Sequence, residues 1–468
     1  MQHLQCDVAI IGAGTAGIAA ERSARAAGAR TFLIDERFAG TTCATVGCMP
    51  SKLLIAAAAA AHAVEQAHLF GVRAGRPTID GAAVMRRVQS ERDHFAASTR
   101  ESLAKLPEGV CIRARGHFRD AATLVLDDGR EIKARAIVIA TGSKSSVPKA
   151  FDTVKASVLT NESIFEMPTL PQSLAVVGAG PLGLELAQPF QRLGVEVRVF
   201  DETPHFSGIA DEAIEHEYRR LLEQTLPMSL ATKLEASPAE DGVMISWSGA
   251  TSGTQDFERV LIAAGRPPQL SALNLKVTGI DLNEHGVPLY EPDTLQCGES
   301  SIFIAGDADH DRPVLHEAAA DGAIAGKNAA GFPNVSRTQR YVPLSIVFTD
   351  PQFAAVGAVP KPGTAGTLCG RASYADQGRA KIYARNTGLV HLYADSQDGR
   401  LTGGTLCGPA VEHTAHLIAW AVQRRLTASE VLQLPLYHPT YEEGIKPALR
   451  SICEAAHLPI SDMVAPGE

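Results

Sequence analysis

Aromatic residues are scarce in this chain. Phe, Trp and Tyr make up 5% of its 468 residues, too few for a platform that stacks single-stranded bases. Basic residues are outnumbered, 43 Lys and Arg against 52 Asp and Glu, for a formal net charge of −9. Nucleic acid and anionic membrane surfaces both demand a basic face, so neither is expected as a partner. Cysteine is sparse too: eight in 468 residues cannot staple a small secreted fold. Apolar stretches read as broken by glycine or charge before the ~18 residues of a membrane span. The first of them, 8–20, follows Asp7 rather than a basic segment, so no targeting sequence is read. The expectation is a cytoplasmic chain with reduced thiols, unless a cysteine pair is catalytic.

What the chain does have is a repeat. Val8 to Ile11 reads as a doubly buried strand, followed by the turn Gly12-x-Gly14-x-x-Gly17, a helix to Ala27 and a strand ending at Asp35. The unit recurs 166 residues later, with Gly178-x-Gly180-x-x-Gly183 and a strand ending at Asp201. In each copy the acid lies 18 residues past the third glycine. The glycines permit a tight turn, close approach of a pyrophosphate and close helix packing, and the acid can accept from a ribose. Two nucleotide-binding domains are expected. Asp201 repels a 2′-phosphate and favours NAD(H); Arg198 on the same strand opposes that. Pro189 falls inside the second helix and should kink it or remove a bond. Strands at 261–264 and 302–305 end in Gly265 and Gly306. Beyond about Tyr341 the texture changes to α+β, with strands expected at 345–348, 381–383 and 389–393 and a helix at 414–424.

Cys43-Ala-Thr-Val-Gly-Cys48 precedes an alanine-rich helix expected over 51–66. Pro50 suits its first turn. Cys48 therefore sits near a helix N-terminus, where a thiol is acidified. A thiolate poised against a second thiol is the layout of a dithiol–disulfide exchanger. Two cysteines five apart are also compatible with unrelated buried thiols. His438 has Glu443 five residues on, able to orient its ring for acid–base work, although a single histidine is often structural. His413 and His416 read as a packed or solvated face, and no metal site is expected.

Taken together, these motifs resemble the flavin-dependent pyridine nucleotide–disulfide oxidoreductases, in particular their dihydrolipoyl dehydrogenase branch. The matching stretches are the two glycine turns, TTCATVGCMPSK, Ala140-Thr141-Gly142, AAGRPP, IFIAGDAD, IVFTDPQFAAVG and HPTYEE. The resemblance implies an α/β fold: two Rossmann-like domains for FAD and NAD, the second inserted in the first, and a C-terminal α+β dimerisation domain. The corresponding boundaries are 1–147 and 271–340 for the FAD part, 148–270 for the NAD part and 341–468 for the interface part.

It further implies that Gly12, Gly14, Gly17, Asp35, Thr141, Gly142 and Asp307 hold FAD, with Lys52 near the flavin. Gly178, Gly180, Gly183, Glu185, Asp201, Gly265 and Arg266 would serve NAD, Glu185 also pairing with Lys52. Cys43 would exchange with substrate through a Cys43–Cys48 disulfide, Cys48 would face the flavin, and His438 with Glu443 would be the acid–base pair of the other subunit in a homodimer. The implied activity is dihydrolipoyl oxidation with NAD, on lipoamide or the lipoyl domain of a partner protein. The alternatives are the same architecture with another acceptor (a different disulfide, a quinone or a metal ion), or a non-enzymatic redox sensor or scaffold. Two residues depart from the family pattern beside the cysteines: Thr41 replaces a glycine and Thr45 a common asparagine.

Overall fold

The computed structural model describes residues 3–206, 208–361 and 363–460. The chain opens with β1 (His3–Ile11), α1 (Thr15–Ala26) and β2 (Thr31–Asp35). Next come α2 (Thr42–Thr45), α3 (Cys48–Gln66) and α4 (Gly81–Ala104), then β3 (Cys111–Arg113), β4 (Gly116–Asp120), β5 (Thr123–Leu126) and β6 (Glu131–Ile139). The second unit contains β7 (Val158–Leu159), β8 (Ser173–Val177), α5 (Pro181–Arg192), β9 (Glu196–Phe200), α6 (Glu212–Glu223) and β10 (Met228–Ser229). A meander of β11 (Thr232–Ala239), β12 (Gly242–Gly249) and β13 (Gly253–Phe257) follows, then β14 (Arg259–Ile262).

At β15 (Ile302–Ile304) the chain returns to the first sheet, pairing with β6, and α7 (Leu315–Gly331) packs behind it. That sheet runs β3-β2-β1-β6-β5-β4 with β15 on β6, and the second runs β10-β9-β8-β14-β7. The second sheet is parallel at every pairing. Parallel strands are covered on both faces, and Val8, Ile10, Ala136 and Val138 are accordingly fully buried. The last part is an antiparallel sheet of β16 (Leu344–Val347), β17 (Gln352–Gly357), β18 (Thr367–Ser373), β19 (Leu389–Asp395) and β20 (Leu401–Gly408). With it are α8 (Gly378–Ile382), α9 (Val411–Gln423), α10 (Ala428–Leu432) and α11 (Lys446–Ala455).

The two nucleotide-type turns agree bond for bond. Gly12 N–H donates to Ile34 O and Gly178 N–H to Phe200 O, each at 2.8 Å. Gly12 and Gly178 have φ of +105° and +113°, a region glycine alone enters freely. A Cβ on Gly17 would lie 1.8 Å from Gly12 O, and one on Gly183 would lie 1.9 Å from Gly178 O.

Several expectations need correction. Residues 381–383 were expected as strand but lie in or beside α8, whose start is capped by the Gln377 side chain accepting from Ala380 N–H. Three residues carry too little periodicity to separate the two. The β11–β13 meander was not anticipated. Pro189 does not end α5, which continues to Arg192; with no N–H to offer, it leaves the Glu185 carbonyl without its helical donor. The run Thr42–Phe70 is long and apolar enough to cross a membrane by length and composition, contrary to the reading that none reaches that length. Leu54, Ala58 and Ala61 face a core shared with Met85, Val88, Leu184 and Ala187.

One contact between units and one within the first unit show how the packing is held. Asp211 caps α6 through Oδ1, while Oδ2 lies 2.7 Å from His391 Nδ1 and accepts from the Tyr393 hydroxyl. Burial works against the charge, but these bonds keep Asp211 well below the usual carboxylate range. In the first unit, α1 and α7 cross in backbone contact, since a Cβ on Gly326 would fall 2.2 Å from Ala20 O. Gly326→Ala should therefore cost about 1–3 kcal/mol through overpacking. A melting curve superimposable on the wild type would contradict this reading of the crossing.

Candidate active site

The cysteine pair is built by two short helical starts. Thr41 caps α2, its Oγ1 accepting from Ala44 N–H at 3.3 Å, and Thr45 Oγ1 donates to Thr41 O at 2.9 Å. Both departures from the family pattern thus serve the turn that carries Cys43. Helix α3 starts at Cys48, three residues earlier than expected, and no side chain caps it. A Cβ on Gly47 would lie 3.0 Å from Thr42 O, so the link between the two helices is tight.

The two cysteines are thiols here; Cys43 is half-buried and Cys48 exposed toward a cleft that both line. The neighbouring Cys43 thiol, with help from the Lys52 ammonium, pulls Cys48 down to about 6, against desolvation and the Glu185 charge. Cys43 is pushed up by its Cys48 neighbour and by burial. One thiol is thereby acidic and the other is kept protonated.

Lys52 lies one turn along α3. Its Nζ is 2.6 Å from Glu185 Oε2 and 4.5 Å from the centroid of the Phe348 ring. Glu185 is buried on α5, just past the second glycine turn, and its Oε1 accepts from Phe348 N–H at 2.9 Å. One ion pair therefore joins the dithiol helix, the second nucleotide unit and the strand end of the third.

The cleft encloses about 1200 Å³, part of it open to solvent. Its wall includes Gly14, Gly142, Asp307, Lys52 and both thiols. Asp35 Oδ2 accepts from Ala13 N–H at 3.0 Å, fixing the strand end against the turn. Asp307 Oδ2 accepts from Ser143 Oγ at 2.7 Å. Three features fit a dinucleotide flavin. The N-terminus of α1 carries no side-chain cap. Nothing stands within 4 Å of a Cβ built on Gly14 or Gly142. The buried Thr141 Oγ1 has no partner among the described residues.

At the second turn Asp201 repeats the role of Asp35, its Oδ2 accepting from Ala179 N–H at 2.7 Å. Gly265 has φ +123° with open space at its Cβ position. Arg198 is engaged elsewhere. It donates to Ser229 Oγ at 3.2 Å and Gln255 Oε1 at 3.3 Å and stacks over Trp247. Arg266, expected to serve the nicotinamide nucleotide, has its guanidinium between Ser143 and Asn161 on the wall of the thiol cleft. Sequence reasoning gave no role to Asn161 or Ser143, which lie outside the quoted motifs, nor to Phe348, which lies inside IVFTDPQFAAVG.

His438 does not line this cleft. It is exposed, with Nδ1 2.9 Å from Glu443 Oε1, and Glu443 is additionally near Lys446. The acid–base pair is assembled, but at a distance from the chain's own dithiol.

A family model described as pyridine nucleotide-disulphide oxidoreductase matches residues 6–323, and that family's dimerisation domain matches 343–449. The chain belongs to this family. It is a flavoprotein oxidoreductase of the FAD-binding, nicotinamide-using type, and its dimerisation domain supports a homodimer. The dihydrolipoyl dehydrogenase of Halobacterium salinarum is 28% identical over 466 residues, covering 96% of this chain and 97% of that one. The mercuric reductase of Shigella flexneri is 29% identical over 460 residues, covering 95% and 80%. Two solved structures share the fold. LpdA of Mycobacterium tuberculosis aligns with TM-score 0.82 at 24% identity, covering 96% and 99%. The HOCl-induced flavoprotein disulfide reductase RclA of Escherichia coli aligns with TM-score 0.80 at 22%, covering 95% and 99%.

The thiolate of Cys48 should titrate with a midpoint near 6, measured by thiolate absorbance of the reduced protein against Cys48→Ser. Lys52→Met removes the cation and keeps the stem, so the midpoint should rise by about one unit. A midpoint unmoved in Lys52→Met would show that the ammonium does not act on the thiol.

Proposed function

We propose that this flavoprotein oxidises a dihydrolipoyl dithiol through Cys43 and Cys48 and passes the two electrons, by way of FAD, to NAD. The observation that carries the reading is that Cys43 and Cys48 line one cleft together with Gly14, Gly142, Asp307 and Lys52. Bound FAD supplies a two-electron carrier between dithiol and nicotinamide. Gly12, Gly14, Gly17, Asp35, Thr141, Gly142 and Asp307 would hold it, with Lys52 and Cys48 on the inner wall of the same cleft.

The thiol chemistry balances within the chain's own residues. In the oxidised pair Cys43 and Cys48 share a disulfide. His438 of the other subunit, its Nδ1 held by Glu443, takes a proton on Nε2 from the first substrate thiol. The resulting thiolate attacks Cys43 Sγ, the Cys43–Cys48 bond breaks and Cys48 leaves as thiolate. A low-pKa thiol is the better leaving group, which supports the assignment of Cys48 to that role. The second substrate thiol then attacks the substrate sulfur of the mixed disulfide. Cys43 departs with a proton, the substrate becomes a cyclic disulfide, and the pair is left reduced.

For the nicotinamide nucleotide, Gly178, Gly180, Gly183, Asp201 and Gly265 form the proposed site, with Glu185 at its inner end. The carboxylate of Asp201 at the strand end, with Arg198 tied to Ser229 and Gln255, supports NAD over NADP. The proposed carrier is lipoamide or a lipoyl domain in a reducing cytosol. A metal-ion acceptor has one observation in its favour, the identity to mercuric reductase. Against it, Cys453 in the C-terminal region is single and buried, not an exposed pair.

Steady-state rates of the FAD-loaded homodimer decide among acceptors. Dihydrolipoamide with NAD should exceed glutathione disulfide, quinone and Hg²⁺ reduction, and Cys43→Ser should lower lipoamide turnover by about 10³-fold or more with FAD retained. Full turnover in Cys43→Ser, or faster turnover of another acceptor, would overturn the assignment. His438→Gln should cost about 10²–10⁴-fold, and mixing it with an inactive Cys43→Ser chain should restore activity in hybrid dimers.

A further inference from the structure

The hydrogen bonds around Arg266 lead from one side of the cleft to the other. Arg266 Nη1 donates to Asn161 Oδ1 at 2.7 Å, and Nε donates to Ser143 Oγ at 3.3 Å. Ser143 Oγ in turn donates to Asp307 Oδ2 at 2.7 Å. On the other side, Asn161 Nδ2 donates to the carbonyl of Val46 at 3.0 Å. Val46 lies between the two redox cysteines. Asn161 is 2% exposed, and Ser145 Oγ donates to the same Oδ1 at 2.6 Å. Both Asn161 groups are used, so its amide orientation is fixed by its neighbours.

We propose that Asn161 and Arg266 are positioning residues for the dithiol: they fix the Val46–Gly47 peptide, and with it the approach of Cys43 to Cys48, against the strand exit of the second nucleotide unit. The proposal rests on Cys43 and Cys48 being the working pair. The geometry leaves little slack. Val46 N–H is already committed to Thr42 O at 2.9 Å, and Gly47 abuts Thr42. With the Val46 carbonyl also held, the two-residue link can neither turn nor lengthen. The neighbouring Cys43 is the largest cause of the acidity of Cys48, so a loosened link should be read directly in that thiol.

Arginine is the residue this arrangement needs. Its planar fork serves Asn161 and Ser143 at once with fixed spacing, which a lysine ammonium on a flexible stem cannot do. Gly265 enters the same segment at φ +123°, so the guanidinium is delivered from a strand exit that also belongs to the proposed NAD site. The dithiol link and that site are thus tied through Asn161.

The test is the thiolate titration of the reduced, FAD-loaded homodimer in Asn161→Ala and Arg266→Lys. Neither change alters the net charge near the thiols. FAD content and dimer mass serve as controls for folding. Both variants should raise the Cys48 midpoint by about one unit, a tenfold loss of thiolate at a pH below it. The double variant should move it no further than the larger single change, because the two residues act through one link. Intact dimers whose midpoints match the wild type, or shifts that simply add, would overturn the proposal. A wild type with no acidic thiol at all would overturn the dithiol function itself, a result distinct from unshifted variants.

Discussion

The ammonium of Lys52 lies between two groups that would otherwise oppose each other, the Cys48 thiolate and the buried Glu185 carboxylate. Without it, both negative charges would share one cleft wall, and the Glu185 charge, which already raises the pKa of Cys48, would go unopposed. Its position follows from helix geometry: Lys52 is four residues past Cys48, on the same face of α3. The partner position also follows from sequence, since Glu185 comes two residues after the last glycine of the second turn. The ion pair thus couples the acidity of one sulfur to the packing of α3 against α5. The third unit contributes as well, through the Phe348 N–H and ring.

Much of this was legible in the sequence because it depends on residues with narrow physical options. The glycine turns could be read at atomic detail, since no other residue fits where a Cβ would meet a carbonyl at about 2 Å. The dithiol could be read because two cysteines and a proline define a helix start. The pairing of His438 with Glu443 was likewise local. What could not be read were partners distant in sequence and chemically ordinary. Asn161 and Ser143 are small polar residues in loops, and nothing in their spacing points to Val46 or Asp307. Arg266 was assigned to the nucleotide whose turn it follows, whereas its fork is directed by Ser143 and Asn161 to the other cleft. The β11–β13 meander and α8 were missed because short alternating segments are ambiguous on their own. Pro189 carries a local cost in the form of the freed Glu185 carbonyl, and nothing in the structure explains its presence.

The acceptor is set by features outside the shared fold. Relatives of nearly equal identity, 28% and 29%, carry the names dihydrolipoyl dehydrogenase and mercuric reductase. In this chain the turn around Cys43 is closed by the Thr41 and Thr45 hydroxyls, and Cys453 on α11 is buried.

The central claim is that Cys43 and Cys48 cycle between disulfide and dithiol during turnover. Differential alkylation with mass spectrometry of the FAD-loaded dimer measures it directly, before and after one equivalent of dihydrolipoamide without NAD under anaerobic conditions. The account predicts that both cysteines resist alkylation in the oxidised protein and that both become labelled after the dithiol is added, the other six unchanged. Labelling of Cys43 and Cys48 that is the same in both samples would contradict it.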